Sequence, residues 1–258
     1  MSSLYQTLAD ELAGAYRTHT PVGLISDRYP HLTAEDGYEI QRINQRRALA
    51  AGCRITGKKI GLTARTLMES MGVEEPDYGH LYAGLELPEN GSAAFDTLFE
   101  PRVEGEIAFV LGRDLPRDAD ARDVLDAAAY VCAAFEVPET RIAGWRNRIV
   151  DTVADNSSAG HYMLSSRRVD PRTLDLSSLS LELWKNGTLL ASGTAEVVLG
   201  SPLNSVAWLS NKLRSHGQAL TAGQVVLSGA LCGAHPAAPG DMFEARFQHL
   251  GGLTLRFV

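Results

Sequence analysis

The sequence of 258 residues is poor in cysteine, has no cluster of basic residues and contains no long apolar run, and each shortage argues against a class of protein. Cys53, Cys132 and Cys232 lie far apart and form no Cys-x-x-Cys pair, which fits a reduced cytoplasm. A formal charge of -7 without a long Lys/Arg run argues against nucleic-acid binding. No apolar stretch approaches the length of a membrane span, and the N-terminus lacks the basic and apolar blocks of a secretory signal. We therefore expect a cytoplasmic protein that binds neither nucleic acid nor membrane.

Several common catalytic motifs are also missing. The seven histidines form no His-x-x-x-His or His-Glu-x-x-His pattern, and neither Gly-x-Ser-x-Gly nor Gly-x-Gly-x-x-Gly occurs. A hydrolase triad and a dinucleotide site therefore lack support. Residues 52–59 come close to a phosphate-binding P-loop, but Lys59 stands where that motif needs a hydroxyl group, and the segment follows a predicted helix instead of a strand.

Residues 99–112 form the most informative segment that is present. Strand-forming residues dominate it, and side chains alternate between the two faces of a strand, so Glu104 and Glu106 share one face. Two like charges on an apolar strand are costly to bury unless a proton or a cation lies between them. Glu136 is a third carboxylate in an apolar setting, in residues 133–137, which fit either a helix end or a short strand.

These three carboxylates have no histidine or cysteine nearby, so they suit a hard cation, Mg²⁺ or Mn²⁺ ahead of Zn²⁺. The alternative is that they pair with cations such as Arg102 or Arg141.

Four other residues are candidates for chemistry, and each has a structural alternative. Lys59 could stabilise an oxyanion near a metal or transfer a proton, or it could be a solvated lysine beside Lys58. Asp77 lies in a predicted loop over residues 75–80, where turn formation alone would explain it. Asp155 and Ser158 belong to a loop of small residues that could orient a substrate carboxylate or a water, or could serve only as a cap or turn.

The order of predicted elements indicates an α+β fold, with helices early in the chain and strands late. Helices are predicted over 3–17, from Thr33 to Gly52, over 63–72, from about Asp120 and from Ser201 to Leu213. Strands are predicted over 53–62, 103–111, 179–184, 188–192, 224–229, 242–247 and 252–257. We expect a single domain over 1–258, in which a helical part, 1–52, packs on a β-rich catalytic core, 53–258.

Four motifs occur together in an order that resembles one known family. They are Gly57-Lys-Lys-Ile-Gly-Leu-Thr63, Glu75-Pro-Asp-Tyr-Gly79, Pro101-Arg-Val-Glu-Gly-Glu-Ile-Ala108 and Asp151-Thr-Val-Ala-Asp-Asn-Ser-Ser158. The chain resembles, over nearly its whole length, the 2-keto-4-pentenoate hydratases, also called 2-hydroxypenta-2,4-dienoate hydratases. These belong to the fumarylacetoacetate hydrolase superfamily together with the 4-oxalocrotonate decarboxylases.

The resemblance implies roles for the candidate residues. Glu104, Glu106 and Glu136 match the family's divalent-metal ligands, and Lys59 matches its active-site lysine. Three further residues match positions that line the pocket, namely Asp77, Asp155 and Ser158. The implied fold is a mixed, β-rich α+β fold like the fumarylacetoacetate hydrolase C-terminal domain, with N-terminal helices, and the implied assembly is a homo-oligomer.

The implied activity is that of a hydro-lyase in the meta-cleavage catabolism of aromatic compounds or steroid rings, beside an aldolase that takes the product. The enzyme would convert a 2-hydroxy-2,4-dienoate, by protonation at C5 and addition of water at C4, into a 4-hydroxy-2-keto acid. Lys59 would stabilise the enolate oxygen or move its proton, and Asp77 or Asp155 would position or deprotonate the water.

Three alternatives stay open. The first is decarboxylation of a 2-keto-3-enedioate through the same kind of enolate, and the second is hydrolysis of an acylpyruvate. The third is a non-catalytic subunit of such an enzyme, although an idle site has no reason to keep repelling carboxylates and Lys59 together. The sequence departs from the family pattern at residues 232–236, where many relatives carry Pro-Met, so the substrate's tail is expected to differ if this loop faces the pocket.

Overall fold

The computed structural model describes residues 2–116 and 118–258, which form seven α-helices and thirteen β-strands. The helices are α1 (Ser2–Thr18), α2 (Ile25–Arg28), α3 (Ala34–Ala50), α4 (Arg65–Met71), α5 (Ala121–Ala127), α6 (Ile149–Ala154) and α7 (Pro202–Ser215). The strands are β1 (Ile55–Gly61), β2 (Asp77–Tyr82), β3 (Glu86–Leu87), β4 (Ser92–Ala93), β5 (Arg102–Leu111), β6 (Ala128–Val137), β7 (His161–Leu164), β8 (Ser180–Lys185), β9 (Thr188–Thr194), β10 (Val225–Ala230), β11 (His235–Pro236), β12 (Met242–Phe247) and β13 (Gly251–Phe257). The α+β prediction is confirmed.

The strands form two mixed sheets. The larger sheet has the order β2-β1-β10-β5-β6-β7-β3, with β11 pairing along β5, and the smaller has the order β4-β13-β12-β8-β9. The main apolar core includes residues of both sheets, among them Ile107 and Phe135 from the larger and Leu183 and Phe243 from the smaller. Strands β5 and β6 lie inside the larger sheet, and most of their side chains are buried, while Glu104 is half-buried.

The N-terminal helices pack on the larger sheet through α6. The predicted start of α3 at Thr33 is confirmed: Thr33 is its N-cap, and it forms a capping box in which the side chains of Thr33 and Asp36 each accept a hydrogen bond from the other's backbone amide. Its Gln41 side chain donates to the backbone carbonyls of Tyr78 on β2 and Val153 on α6, at 3.0 Å each. An apolar cluster that includes Leu8 and residues of α3 and α6 joins the helices. Within the described residues, no helix is long and apolar enough to cross a membrane.

Asn186 and Gly187, between the predicted strands 179–184 and 188–192, join β8 to β9 in a hairpin, and both turn residues have positive φ, 51° and 80°. Positive φ at both central residues is the requirement of a type I′ turn, which explains the Asn-Gly pair. The predicted helix from Ser201 and the last three predicted strands are also confirmed, as α7, β10, β12 and β13.

Two sequence predictions change. Asp77 was predicted in a loop, but it begins strand β2 and pairs with Gly61 of β1. Gly79 belongs to the same predicted loop but lies within β2. Only glycine fits at this position, because a Cβ there would lie 2.1 Å from the Asn156 carbonyl oxygen.

The helix predicted from about Asp120 ends at Ala127, and the apolar residues that follow form β6. This settles the open choice for residues 133–137 in favour of a strand. The run from Ala128 to Val137 is apolar at almost every position, so it lacks a period that would distinguish a strand from a buried helix. Pairing with β5 on one side and β7 on the other decides it.

Strand β1 should be sensitive to any added atom at Gly57, where a Cβ would lie 1.9 Å from the Val225 carbonyl oxygen of β10. We expect Gly57→Ala to lower the free energy of unfolding by about 2 kcal/mol or more, measured by urea denaturation. Gly84→Ala is the matched control, because nothing lies within 4 Å of its Cβ position, and its change should stay within about 0.5 kcal/mol. Equal stability of the two variants would contradict this packing.

Candidate active site

Three glutamates converge on one face of the larger sheet. Glu104 of β5 lies directly opposite Glu136 of β6, and Glu106 follows on the same face of β5. One carboxylate oxygen from each residue lies within 4.8 Å of the others. Ala108, the next residue on this face, belongs to a small apolar cluster, so the carboxylates stand at the end of an apolar strip.

The carboxylates are buried without enough partners. Glu106 Oε2 accepts a 2.7 Å hydrogen bond from the Gly229 backbone amide, but Glu106 Oε1 and both side-chain oxygens of Glu136 have no donor in hydrogen-bond geometry within the described chain. Burial first, and then the negative charge of Glu136, raises the pKa of Glu104 to about 7 and raises that of Glu106 well above its usual value. Burial also raises the pKa of Glu136. Such a donor set fits a hard divalent cation, which would satisfy the free oxygens.

Lys59 brings a positive charge to this cluster. It is buried on β1, and its Nζ lies 3.3 Å from Glu136 Oε1 and donates a 3.0 Å hydrogen bond to the Ser157 carbonyl. Burial lowers the pKa of Lys59, but the charges of Glu136, Asp77 and the other two glutamates raise it by more, so the ammonium form is favoured. The alternative of a solvated lysine is therefore wrong. Lys58, its neighbour, is buried too, on the opposite face of the strand.

Asp77 faces the same space as Lys59. A Cβ built on Gly61 would lie 2.2 Å from Asp77 Oδ1 and 3.2 Å from Lys59 Nζ, so this glycine leaves room for both groups. Asp77 is 1% exposed, and neither of its side-chain oxygens has a donor in hydrogen-bond geometry within the described residues. Burial raises its pKa, and the charge of Lys59 lowers it by less. A carboxylate with a raised pKa and free oxygens is suited to accept a proton.

Asp155 and Ser158 lie at the two ends of a tight turn that follows α6. Both oxygens of Asp155 are engaged: Oδ1 accepts from Arg141 Nε at 2.7 Å, and Oδ2 accepts from the Arg141 backbone amide at 2.8 Å. Ser158 is buried, and its hydroxyl has no hydrogen-bond partner among the described residues. The turn thus offers a free hydroxyl, whereas its aspartate is already neutralised by Arg141.

Two backbone groups of the site escaped the sequence analysis, namely the Ser157 carbonyl and the Gly229 amide. Every residue has a backbone carbonyl group, and every residue except proline has a backbone amide, so the sequence does not mark which of these groups face the site. Gly229 has φ 118° at a bulge in the pairing of β10 with β5, and glycine directly after an apolar strand is the available hint of such a bulge.

The loop over residues 232–236 lies close to the glutamates. Burial, and next the charge of Glu104, raises the pKa of Cys232 to about 11. His235 and Pro236 pair with β5 at Val103 and Arg102, beside Glu104. The position where the sequence departs from the family pattern is therefore near the site.

Comparison with known proteins agrees with this fold. The family described as fumarylacetoacetate (FAA) hydrolase C-terminal matches residues 88–258, which contain all three glutamates. The chain is 39% identical over 250 residues to a 2-keto-4-pentenoate hydratase of Paraburkholderia xenovorans (strain LB400), covering 96% of this chain and 93% of the relative. It is 37% identical over 256 residues to a 2-hydroxyhexa-2,4-dienoate hydratase of Comamonas testosteroni, covering 98% and 97%.

A solved structure is similar throughout. It is the 4-oxalocrotonate decarboxylase from Pseudomonas putida G7, complexed with magnesium and adipate, with a TM-score of 0.96, 33% sequence identity, and coverage of 100% of this chain and 98% of that chain. The chain therefore belongs to the fumarylacetoacetate hydrolase superfamily and, within it, to the family of 2-keto-4-pentenoate hydratases and 4-oxalocrotonate decarboxylases.

The raised pKa of Glu104 predicts how the stability of the metal-free protein depends on pH. The usual value is 4.5 and the folded value about 7, so the folded state holds this proton more tightly. The resulting stabilisation is complete below about pH 4.5 and is lost as the pH rises through about 7. With a chelator present, the unfolding temperature should fall between about pH 5 and about pH 8.

Glu104→Gln should reduce that fall, because glutamine does not titrate, and differential scanning calorimetry at a series of pH values measures it. Glu39→Gln, which removes an exposed carboxylate paired with Arg42, is the control and should follow the wild type. If the unfolding temperature fell equally with pH in the wild type and both variants, the prediction would be refuted.

Proposed function

We propose that this protein is a metal-dependent hydro-lyase that adds water to a 2-hydroxy-2,4-dienoate and gives a 4-hydroxy-2-keto acid, in the meta-cleavage catabolism of aromatic compounds. The observation that carries the proposal is the buried cluster of three glutamates with Lys59 and Asp77 against it. The hydratase relatives, which match over almost the whole chain, support the assignment of this site to hydration.

The proposed metal ligands are Glu104, Glu106 and Glu136. Their free oxygens fit a divalent cation, and we propose Mg²⁺ or Mn²⁺, since the related decarboxylase was solved with magnesium. When bound, the cation would supply positive charge that stabilises negative charge on the C1 carboxylate and C2 oxygen of the substrate.

Lys59 is the proposed residue that holds the developing enolate charge. Its ammonium group lies 3.3 Å from Glu136 Oε1, so a substrate oxygen near these glutamates would lie close to it. The buried setting strengthens the attraction, because little water competes for the charge. The ammonium can also give a proton to C5 and then, as the neutral amine, take the proton that leaves the C2 hydroxyl group when the dienol becomes a keto acid.

Asp77 is the proposed base for the water. Its oxygens are free, its pKa is raised, and Gly61 keeps the space between it and Lys59 open. In the hydration step Asp77 would take a proton from water as the oxygen bonds to C4, and the electron pair of the C3–C4 double bond would move towards the C2 oxygen near Lys59. Return of that proton from Asp77 to C3 would then restore the C2 carbonyl and give the 4-hydroxy-2-keto acid. The engaged oxygens of Asp155 make it the weaker candidate, and the Ser158 hydroxyl is proposed to bind the substrate's C1 carboxylate.

Further proposals concern the setting of the enzyme. Residues 1–258 would act as one hydratase domain, with 1–52 packed on the catalytic core, and the protein would work in the cytoplasm as a homo-oligomer. A downstream aldolase would cleave the 4-hydroxy-2-keto acid. Decarboxylation of 4-oxalocrotonate is the second candidate reaction, favoured by the structural similarity to that decarboxylase.

One assay separates the two reactions. The purified protein with Mg²⁺ or Mn²⁺ is mixed with freshly generated 2-hydroxypenta-2,4-dienoate, and we expect the dienol absorbance to fall while mass spectrometry shows a gain of one water. The parallel assay contains 4-oxalocrotonate and measures carbon dioxide. Carbon dioxide release without any hydration of the dienoate would reject the hydratase assignment.

A second experiment tests the metal ligands. Glu106→Gln removes a negative donor, so we expect the dissociation constant for Mn²⁺ to rise by at least about 10- to 100-fold and metal-dependent hydration to disappear. Calorimetric titration of the metal-free protein and the hydration assay measure these effects. Glu39→Gln is the control, and circular dichroism verifies the fold of both variants. Undiminished activity of Glu106→Gln would remove the metal-ligand role.

A further inference from the structure

The turn that follows α6 has an unusual backbone. Asn156, Ser157 and Ser158 have φ values of 56°, 56° and 52°, which lie in the left-handed region, and none of them is glycine. This conformation is disfavoured for residues other than glycine, because it brings Cβ close to the following carbonyl oxygen. Backbone strain of this kind persists only where the surrounding structure enforces it, and it is concentrated at functional sites.

One buried arginine holds both ends of this turn. Arg141 Nε donates to Asp155 Oδ1 at 2.7 Å, and its Nη2 donates to the Asp155 backbone carbonyl at 2.8 Å. Its Nη1 donates to the Ala159 carbonyl at 3.3 Å, beyond the other end of the turn. Arg141 is 6% exposed and Asp155 4% exposed, so this fork of hydrogen bonds is shielded from water.

The middle of the turn is fixed against strand β2. The Asn156 side chain accepts from the His80 backbone amide at 2.8 Å and donates to the His80 carbonyl at 3.0 Å. Gly79 lets the strand approach closely, since a Cβ there would lie 2.1 Å from the Asn156 carbonyl oxygen. The same strand begins at Asp77, so the turn and the proposed base have a common support.

Besides the Ser158 hydroxyl, the turn presents the Ser157 carbonyl group to the site. The Ser157 carbonyl accepts the 3.0 Å hydrogen bond from Lys59 Nζ, and Glu136 Oε1 lies 3.3 Å from the same nitrogen. An ammonium group is a point charge on a flexible stem, and its direction depends on such acceptors. A carbonyl group directs it without adding a further negative charge to the cluster.

We infer that the Arg141–Asp155 ion pair is a positioning device for Lys59, which fixes the left-handed turn so that the Ser157 carbonyl directs the ammonium between Glu136 and Asp77. The inference rests on the proposed function through the role of Lys59. It assigns Asp155 to positioning and leaves activation of the water to Asp77. The competing explanation is that the ion pair only stabilises the fold.

A double-mutant cycle distinguishes the two explanations. A displacement of about 1 Å at a catalytic group can cost up to about 100-fold in rate, so Asp155→Asn should lower kcat by about tenfold or more. The dissociation constant of the Asp155→Asn variant for Mn²⁺ should stay within about twofold of the wild-type value, because the three glutamates lie on β5 and β6 and not on the turn. In a Lys59→Met background, the same substitution should change the residual rate by less than about twofold.

Asp241→Asn is the matched control, since Asp241 forms a partly buried ion pair with Lys185 and accepts a hydrogen bond from Asn186. It should leave kcat at the wild-type level. If Asp155→Asn does not fold, Arg141→Lys replaces it, because lysine keeps the charge but cannot contact both ends of the turn. An equal fractional loss of kcat in the wild-type and Lys59→Met backgrounds, or no loss in either, would overturn the inference.

A crystal structure of the Asp155→Asn variant supplies a readout that does not depend on activity. We expect the 3.0 Å bond between Lys59 Nζ and the Ser157 carbonyl to be lost, and retention of both the bond and the left-handed turn would overturn the inference. If the Lys59→Met single variant kept the full wild-type hydration rate, the proposed role of Lys59 would be rejected. The crystal structure of Asp155→Asn would still decide whether the Arg141–Asp155 ion pair positions the Lys59 side chain.

Discussion

Repulsion among buried carboxylates is the constraint on which the site depends. Glu104, Glu106 and Glu136 lie within reach of one another in the larger sheet, and burial raises the pKa of each. Lys59 alone cannot neutralise three such groups together with Asp77. A buried set of this kind is stable in its charged form only with a further positive charge, which is why the geometry favours a divalent cation over a purely structural role.

The rest of the fold serves to hold these groups in place. Strands β5 and β6 lie inside the larger sheet, where Glu106 and Glu136 are fully buried and Glu104 is partly buried, so the cluster has little access to water. Glycines at Gly61 and Gly79 create the space in which the Asp77 carboxylate and the turn after α6 approach β1 and β2. The N-terminal helices contribute through α6, since Gln41 of α3 ties that helix to β2. Stability of the scaffold and precision of the site therefore depend on the same contacts.

The two acidic residues considered for water activation differ in their surroundings more than in their burial. Asp77 is 1% exposed and Asp155 4% exposed, yet Asp155 is paired with Arg141, while Asp77 keeps free oxygens beside Lys59. Burial raises the pKa of both carboxyl groups, but the oxygens of Asp155 already accept hydrogen bonds from the Arg141 side chain and backbone amide, so they are not free to take a proton from water. The two side chains thus have separate uses, one as an anchor for a strained turn and the other as the proposed base.

The sequence by itself determined features that depend on neighbouring residues in the chain. Alternation along a strand placed Glu104 and Glu106 on one face, Asn186-Gly187 specified the hairpin, and Thr33 marked the start of α3, because each is a local rule of backbone geometry. Tertiary structure alone decided the rest. Pairing of β5 with β6 put Glu136 opposite Glu104, and pairing of β2 with β1 made Gly79 part of a strand, where the close approach of Asn156 leaves no room for a Cβ. Burial of Lys59 and the left-handed turn of residues 156–158 likewise arise from contacts between distant segments, which no local pattern in the chain encodes.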